Sequence, residues 1–565
     1  MRKRGLRTIP AVGLIVALGA SAAELPSDTA SYIQQAIANG QFVGMVVGYI
    51  DGQDTVIRGF GVVSKETGKA PDASTVYEIG SITKTFTATL LAVEVVDGKV
   101  KLADPVQNYL PPGVTLAQVG ARPIALEDIA MQNSGLPRMP ANFDPADPAD
   151  PYADFDHAKL WEAVNTVKPA RPPGAAYEYW NFGFGMLGEI LGRAAGMSYR
   201  ELVKARIFVP LGMTSTDTVL TDALQPRAAQ GYGAAGTPVP HWRLRAFAGA
   251  GGIHSTATDM LAYVRANMAA SAEPSASPLS RAMALAHEPR VSMTPEGKIR
   301  VGLAWMTTPG GGGRWHNGGT GGFMSFAGFT DDGKRGVVIL SNQGGRPVDA
   351  IGFHLLNASA PLPETRKEIT LAPAKLDELV GRYAITPQAV FTVTRDGDTI
   401  DVQLTGQNAL PVYAYAADQF FSKVVDAQFT FERDADGRIR GLTLHQNGQD
   451  VRADRVGADV QPDAPIRQLA LTTEQLDAYV GKYQLTPQLV FTITRDAGQL
   501  SAQLTGQPAV PIYPDKPDHF FYKVVDAQLD FERDGAGRVT ALTLHQNGQD
   551  LRAPRIEEAG PDRVP

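Results

Sequence analysis

Ser81 and Lys84 lie three residues apart in the run YEIGSITK at residues 77–84. Because residues three apart share one face of a helix, this spacing brings a hydroxyl and an amine together at a helix N-terminus. A serine hydroxyl becomes an effective nucleophile when a base takes its proton, and a lysine is such a base when burial and the helix dipole lower its pKa. Chance alone produces S-x-x-K about once in a chain of this length, so a catalytic serine needs support from other segments.

A phenol and an amide form a second candidate pair in the run EYWN at residues 178–181. If Tyr179 to Asn181 is extended, residues two apart point the same way and both groups face one cavity. The phenol of Tyr179 can relay a proton, and the amide of Asn181 can orient Lys84 or bind a substrate carbonyl. The alternative is that Tyr179 is packed in the core and Asn181 caps the helix that follows.

Glycines surround a histidine in a third segment, the run WHNGGTGG at residues 315–322. Glycine lets a strand edge approach a substrate closely, which makes Gly318 and Gly319 candidate binding positions beside His316. The backbone N–H groups of Gly319 and Ser81 would together donate two hydrogen bonds to an oxyanion. The alternative is a glycine-rich loop in which His316 is incidental.

Helices and strands are mixed over residues 24–362, and these elements must position the candidate groups. Strand patterns occur at residues 42–50, 55–61 and 336–341. Helical patterns occur at residues 81–96, where apolar positions fall on one side, and at residues 183–194, 199–207 and 256–268. We therefore expect an α/β (α+β) domain with an antiparallel sheet and a helical lobe.

An internal repeat organises the C-terminal part, where residues 376–450 recur as residues 476–550 with most aligned positions identical. Each copy alternates apolar and polar residues and carries hairpin signals, at Asp396-Gly397, Asn447-Gly448 and Asn547-Gly548. Short strands over about ninety residues are best closed as a small barrel, because closure leaves no exposed edge. We expect barrels at residues 375–457 and 466–557, preceded by linkers near residues 360–374 and 456–465.

The N-terminus has the pattern of a secretory signal peptide. An apolar run at residues 9–20 ends in the small residues 20–23. It is preceded by four cationic residues, Arg2, Lys3, Arg4 and Arg7. The apolar run is too short for a comfortable membrane span. We expect residues 1–23 to be removed, which predicts an exported protein, periplasmic or secreted, without a transmembrane anchor in the mature chain. An uncleaved anchor is the alternative.

Charge and composition disfavour several classes of partner and cofactor. The formal net charge is −7, and loss of the four leader cations would take it to about −11, which disfavours nucleic acid as a partner. The chain has no Cys, and its nine His show no H-E-x-x-H or similar spacing, so we expect no metal. The acidic run DPADPADP at residues 144–151 is expected to form a stiff loop beside the cleft, with a calcium site as the alternative.

In chain order, Ser81-x-x-Lys84, Tyr179-x-Asn181 and His316-x-Gly318 resemble the three motifs of the penicillin-recognising serine hydrolases. The similarity is greatest to the class C β-lactamase-like group, which also holds D-aminopeptidases, DD-carboxypeptidases and family VIII-type esterases. Supporting runs resemble that group as well, namely YEIG at 77–80, LADPV at 102–106, SGLP at 134–137, PLGM at 210–213 and GAGG at 249–252. The resemblance covers residues 30–345 and implies a β-lactamase/transpeptidase-like catalytic domain.

The resemblance implies a role for each motif residue. Ser81 would be acylated, and Lys84 and Tyr179 would share the base and acid work. Asn181 would orient Lys84 and bind the substrate amide, and His316 would line the pocket and help to align Tyr179 or the substrate. The implied chemistry is acylation of the serine followed by hydrolysis of the acyl-enzyme, with no metal or organic cofactor.

One departure from the group bears on the substrate. Typical class C β-lactamases carry Lys where this chain has His316, which is mostly neutral near pH 7. That difference disfavours efficient β-lactam hydrolysis and favours a peptidase or an esterase.

Three functional hypotheses follow. The first is an exported serine hydrolase that cleaves amide bonds in D-amino-acid peptides, muropeptides or β-lactams. The second is a carboxylesterase, suggested by His316 and by Trp180, Trp315 and Phe323 as apolar pocket candidates. The third is a non-hydrolytic penicillin- or cell-wall-binding protein.

The two tail repeats resemble the lipocalin-like barrels appended to some D-aminopeptidases and related peptidases. In those relatives a barrel packs against the catalytic domain and can narrow the cleft. The alternative is that both barrels are spacers or assembly surfaces. The partners we expect are a small-molecule or peptide substrate and cell-wall fragments, while the sequence leaves the oligomeric state open.

Overall fold

The computed structural model describes residues 24–556 with short internal gaps. The gaps are at residues 235, 295–296, 364–367, 387–388, 406, 408, 423–426, 447–448, 458–468, 470, 487–488, 497–498, 505–509, 523–526 and 547–548. The predicted signal peptide, much of the second linker and the Asn-Gly pairs at 447–448 and 547–548 therefore lie outside the described residues. No helix in the described part of the chain is long and apolar enough to cross a bilayer.

The described residues from 24 to 362 form an α/β unit, as the patterns predict. Its helices are α1 (Ser27–Ala38), α2 (Thr83–Val96), α3 (Leu126–Ala130), α4 (His157–Thr166), α5 (Phe182–Ala195), α6 (Tyr199–Val203), α7 (Ala248–Gly251), α8 (Ala257–Ala272), α9 (Pro278–His287) and α10 (Asp349–Leu356). Its strands are β1 (Gly44–Asp51), β2 (Asp54–Gly61), β3 (Val76–Glu78), β4 (Gly231–Tyr232), β5 (Pro238–Val239), β6 (His254–Thr256), β7 (Val291–Ser292), β8 (Arg300–Val301), β9 (Met306–Thr307), β10 (Gly313–Gly319), β11 (Met324–Thr330) and β12 (Arg335–Ser341). The helix expected at 199–207 is α6 followed by a π-helical turn, Lys204–Phe208.

One antiparallel sheet, in the order β2-β1-β12-β11-β10-β9-β8-β7, is covered on both faces. Val46 and Ile50 of β1 join the core that contains α2, α5 and α8, whereas Met45 and Val47 join a second core with α1 and α10. Neighbouring strand residues point to opposite faces, so a strand covered on both sides reads as a continuous apolar run. This arrangement holds β10 rigidly inside the sheet, with its last residues directed at the helical lobe.

Helix α2 is enclosed on nearly all sides, so its polar residues are buried together with its apolar ones. Every residue from Thr83 to Glu94 is buried, because the helix runs through the middle of the helical lobe. Two of its buried threonines donate to backbone carbonyls: Thr85 Oγ1 to that of Ile82 in the preceding turn at 2.8 Å, and Thr87 Oγ1 to that of Gly249 in α7 at 2.7 Å. A helix enclosed in this way holds the residues of its first turn in fixed positions.

Two closed antiparallel barrels follow, as the repeat predicts. The first has helix α11 (Pro373–Leu379) and strands β13 (Gly381–Ala384), β14 (Val390–Asp396), β15 (Thr399–Leu404), β16 (Leu410–Ala416), β17 (Gln419–Ser422), β18 (Gln428–Arg433), β19 (Ile439–Gln446) and β20 (Gln449–Gly457). The second has helix α12 (Thr473–Asp477) and strands β21 (Gly481–Thr486), β22 (Leu489–Asp496), β23 (Gln499–Leu504), β24 (Val510–Lys516), β25 (His519–Tyr522), β26 (Ala527–Arg533), β27 (Val539–Gln546) and β28 (Gln549–Ile556). In each barrel the first strand pairs with the last, which closes the sheet.

The barrels share one closing device and have apolar interiors. Arg455 Nη2 donates to the carbonyl of Val380 at 2.7 Å, and Arg555 repeats this contact with Val480 at 2.5 Å. Aromatic side chains fill each interior, including Tyr383, Phe391, Phe420, Phe429 and Phe431 in the first barrel and Tyr483, Phe491, Phe520 and Phe531 in the second. Each barrel is therefore a packed core.

Candidate active site

The fold brings the three sequence motifs to one cleft. Ser81 lies in a 3₁₀ turn, Gly80–Ile82, that leads directly into α2, and Lys84 is in the first turn of that helix. Asn181 immediately precedes α5, and β10 carries His316. Since α2, α5 and β10 are fixed by the two cores, Lys84 and His316 are held within regular elements, while Ser81 and Asn181 directly precede one.

Lys84 makes three close contacts that fit a neutral amine. Its Nζ donates to the carbonyl of Ala250 at 2.7 Å and to Asn181 Oδ1 at 2.9 Å, and it lies 3.0 Å from Ser81 Oγ. Burial is the main cause that lowers the pKa of Lys84 well below its usual value, and the positive charge of Arg138 adds to it. A neutral amine has two N–H donors and one lone pair. When the neutral form uses both donors on the oxygens of Ala250 and Asn181, its lone pair faces the serine hydroxyl.

The amide of Asn181 is oriented by a residue that the motifs do not contain. Asn181 Nδ2 donates to the hydroxyl of Tyr152 at 3.2 Å, which turns Oδ1 toward Lys84. Asn181 makes no capping hydrogen bond to α5, so the capping alternative is not what the structure has. Tyr152 lies just after the acidic proline-rich run, in a segment without a recognisable motif, so its role could not be predicted from the sequence.

Tyr179 places its ring beside the amine and its phenol beside the serine. Lys84 Nζ lies 4.9 Å from the centre of the Tyr179 ring. The phenol hydrogen-bonds with the Ser81 hydroxyl, and burial raises the pKa of Tyr179 above its usual value. The phenol is therefore protonated over the physiological range, and at rest it is a proton donor.

His316 is fully buried and neutral. Burial and the nearby Lys84 lower the pKa of His316 to about 3. Its Nδ1 lies 2.5 Å from the carbonyl oxygen of Asn317, so Nδ1 carries the proton and Nε2 carries a lone pair. Nε2 has no hydrogen-bond partner among the described residues. This position therefore supplies a hydrogen-bond acceptor, where a lysine would supply a cation.

The glycines of β10 allow the strand to touch the nucleophile turn. A Cβ on Gly318 would lie 2.0 Å from the carbonyl oxygen of Ile79, and one on Gly80 would lie 2.7 Å from the nitrogen of Gly319. Gly80 also has φ +50°, a conformation that favours glycine. Gly319 and Ser81 both line the cleft, where their amides can face the same substrate oxygen.

The cleft has an empty volume of about 260 Å³ and an apolar wall that the sequence did not predict. Its lining residues are Gly80, Ser81, Tyr152, Asn181, Trp242, Leu244, Phe247, Ala250, Gly251, Gly319 and Thr320. The three predicted apolar candidates are not among them. Trp315 alternates with His316 along β10 and stacks on Phe326 in the opposite core, while Trp180 and Phe323 are buried. The apolar wall comes instead from residues 242–247.

The acidic run is tied to that wall. Arg243 Nε contacts Asp150 Oδ2 at 2.5 Å, and Trp242 Nε1 donates to the carbonyl of Ala149 at 2.9 Å. A second cation, Arg138, is exposed, and its charge acts on both Lys84 and Tyr179. The cleft is therefore bordered by a fixed acidic loop on one side and has an exposed guanidinium nearby.

Comparison with known proteins agrees with this site. Residues 29–362 match the family described as Beta-lactamase. The chain belongs to the beta-lactamase family. Residues 365–459 and 468–555 each match a domain of unknown function (DUF3471), which covers the two barrels.

Relatives of the beta-lactamase domain include hydrolases with several names. The Escherichia coli (strain K12) protein named D-alanyl-D-alanine-carboxypeptidase/endopeptidase AmpH is 28% identical over 294 residues, which is 50% of this chain and 75% of that protein. A beta-lactamase of Lysobacter lactamgenus is 30% identical over 52% of this chain and 71% of its own length. The chain is accordingly a serine hydrolase of the β-lactamase and D-alanine carboxypeptidase type.

A solved structure shares the fold over more than the catalytic domain. The octameric penicillin-binding protein homologue from Pyrococcus abyssi is 22% identical, with a TM-score of 0.55, over 76% of this chain and 98% of that chain. A beta-lactamase/D-alanine carboxypeptidase from Pseudomonas syringae is 24% identical, with a TM-score of 0.51, over 59% of this chain and 100% of that chain. These similarities support the penicillin-recognising fold.

Proposed function

We propose that this protein is an exported hydrolase that is acylated on Ser81 and cleaves amide bonds in peptides containing D-amino acids, with muropeptides and β-lactams as members of the same substrate class. The observation that carries the proposal is the 3.0 Å separation between Lys84 Nζ and Ser81 Oγ, at a buried position where the pKa of the amine lies well below its usual value. The basic and apolar leader at residues 1–23 supports export.

The geometry supports a defined sequence of proton transfers. Ser81 Oγ attacks the substrate carbonyl carbon as Lys84 takes the hydroxyl proton, and the negative oxygen is held by the amides of Ser81 and Gly319. Tyr179, which is protonated at rest, gives its proton to the leaving amine and is reprotonated from Lys84. Water then attacks the ester carbonyl and gives its proton to Lys84. Lys84 passes this proton to Ser81 Oγ as the ester bond breaks, which frees the serine hydroxyl, the neutral amine and the carboxylic acid product.

Arg138 is the group that we propose to bind a substrate carboxylate. The position that His316 occupies is buried and uncharged, so it offers no cation to such a group. Arg138 is exposed, acts electrostatically on Lys84, and has no ion-pair partner among the described residues. The E. coli relative is named a carboxypeptidase/endopeptidase, and a carboxypeptidase substrate carries a terminal carboxylate.

The first experiment follows intact protein mass and product formation together. Wild type, Ser81→Ala and the exposed-serine control Ser74→Ala are incubated with benzylpenicillin and with a peptide ending in D-Ala-D-Ala. We expect a penicilloyl adduct on wild type and Ser74→Ala alone, with release of D-alanine from the peptide by the same two proteins. Full activity in Ser81→Ala would overturn the proposal, and a stable adduct without turnover of any substrate would identify a binding protein.

An esterase is the second candidate function, and the cleft wall supports it. Trp242, Leu244 and Phe247 are apolar, and the neutral His316 does not select for an anionic substrate. Short-chain p-nitrophenyl esters test this alternative directly. Ester turnover far above the release of D-alanine, with both lost in Ser81→Ala, would favour the esterase.

A further inference from the structure

Glu78, His241 and His254 form a cluster beside the nucleophile turn, outside the acylation machinery. One ligand atom from each residue lies within 4.8 Å of those from the other two. Glu78 and His254 face each other on the paired strands β3 and β6 and are buried, whereas His241 is half-buried and comes from a loop. The absence of Cys and of a zinc-type His spacing predicted no metal, and this cluster has no such spacing because Glu78 and His241 are 163 positions apart.

The ring of His254 is oriented so that it presents a lone pair. Its Nδ1 lies 3.1 Å from the carbonyl oxygen of Gly252, which can only accept, so Nδ1 carries the proton of the neutral ring. Its Nε2 is buried and has no hydrogen-bond partner among the residues that the structure describes. A backbone carbonyl that fixes one ring nitrogen in this way is the usual support for a histidine that binds metal through the other.

The other two members already hold each other in place. His241 Nδ1 lies 2.7 Å from Glu78 Oε1, and the same oxygen accepts the backbone N–H of Trp242 at 3.0 Å. The His241 ring stacks on Phe323, with ring centres 5.2 Å apart, which limits its movement. Two imidazoles and one carboxylate are a common protein ligand set for zinc, in which a fourth position is left for water or another ligand.

We propose that Glu78, His241 and His254 bind a divalent transition-metal ion of the Zn²⁺ type. Zinc binds these ligand atoms at about 2.0–2.2 Å, so the ligand atoms in a tetrahedral site lie about 3.4 Å apart. The His241–Glu78 contact must open slightly, and His254 Nε2 must come closer. Because the ligand atoms are no more than 4.8 Å apart, changes of roughly 1–1.5 Å in their separations produce this geometry.

Such an ion would fix the apolar wall of the cleft. Residue 242 follows His241 directly, its N–H is bound by Glu78, and its ring lines the cleft. Glu78 also lies three residues before Ser81. Metal binding therefore locks the loop of residues 241–244 to the strand that carries the nucleophile turn, without placing the ion in contact with the substrate.

The test is a Zn²⁺ titration of the chelator-treated full chain by calorimetry, with Co²⁺ absorption as a second probe. We expect wild type to bind one Zn²⁺ that His241→Gln binds at least tenfold more weakly. Zn²⁺ should raise the Tm followed by tryptophan fluorescence in wild type and not in the variant. His241 is the residue chosen for substitution because its side chain is 22% exposed. Its replacement should therefore disturb the core little.

Two matched controls separate this site from ordinary surface binding. His157 pairs with Glu189 at 3.0 Å, and His545 lies between Asp530 and Asp550 in the second barrel. His157→Gln and His545→Gln should both keep the tight Zn²⁺ site. Equal binding by wild type and His241→Gln, loss of the site in either control, or no saturable binding by wild type would each overturn the proposal.

Discussion

The backbone of Gly319 lies directly against Gly80, the residue that precedes the nucleophile. A Cβ on Gly80 would lie 2.7 Å from the nitrogen and 3.0 Å from the oxygen of Gly319. Strand β10 and the 3₁₀ turn before α2 thus meet without a side chain between them. That close approach brings the two proposed oxyanion donors to one side of Ser81.

The first prediction concerns this contact. Gly80→Ala should destabilise the catalytic domain by roughly 2–4 kcal/mol, because positive φ and the clash with Gly319 both oppose a Cβ. The rate of acylation of Ser81 should fall as well, because the same contact positions the two oxyanion donors. The control is Gly98→Ala, since Gly98 has φ +72° but nothing within 4 Å of its Cβ. The five tryptophans all lie before residue 316, so fluorescence in a urea titration reports this domain alone. Equal effects of the two substitutions would contradict the contact.

The second prediction concerns the pH dependence of stability. The pKa of Lys84 is lower in the folded protein than in the unfolded chain, so the unfolded state binds more protons between those two values. Wild-type stability should therefore rise with pH through that window. Lys84→Met removes this contribution, and its stability relative to wild type should improve as the pH falls from 10 toward 7. A constant difference in urea unfolding across this range would show that Lys84 is charged in the native state.

The third prediction separates the base from the acid. Tyr179→Phe keeps the ring beside Lys84 and removes the phenol, so acylation should slow by about 10²–10⁴-fold. The midpoint of the acid limb of kcat/KM should stay where it is in wild type, because that limb reports protonation of Lys84. Stopped-flow acylation across pH 5–9 measures both quantities. A loss of the acid limb in Tyr179→Phe would make the phenol the base.

The fourth prediction concerns Arg138. Its charge lowers the pKa of Lys84, so Arg138→Gln should move the acid limb of kcat/KM to higher pH. KM should rise about tenfold or more for the D-Ala-D-Ala peptide and stay unchanged for a neutral ester, since a hydrogen bond between charged groups contributes about 1.5–3 kcal/mol. Arg193→Gln, an exposed position in the last turn of α5, is the control. An equal rise in KM for both substrates would remove Arg138 from carboxylate binding.

The parts of this site that local sequence could predict are those whose geometry is local. The spacing of Ser81 and Lys84 is a property of one helical turn, and Tyr179 and Asn181 lie two residues apart in one short segment, so each pair can be recognised from neighbouring residues. The strand and turn pattern within each repeat likewise predicted the two barrels.

Contacts that depend on tertiary packing could not be predicted from local sequence. Tyr152 reaches Asn181 across 29 positions of chain, and Trp242 reaches Glu78 across 164. The burial of α2 on all sides depends on helices that surround it, and its own sequence does not reveal them. The same is true of the Glu78, His241 and His254 cluster, because the pairing of β3 and β6 joins two of its members and a distant loop supplies His241.

The duplicated barrels have a consequence for how the chain folds. Equivalent strands pair in equivalent registers, as Phe391 opposite Leu404 and Phe491 opposite Leu504 show. A strand from one copy therefore fits the place of its counterpart in the other, and a chain emerging from denaturant can join strands across the two copies as well as within them. Such misassembly is a characteristic failure of tandem repeats. The tail should refold cleanly when the first copy closes before the second is available, as it does during synthesis from the N-terminus.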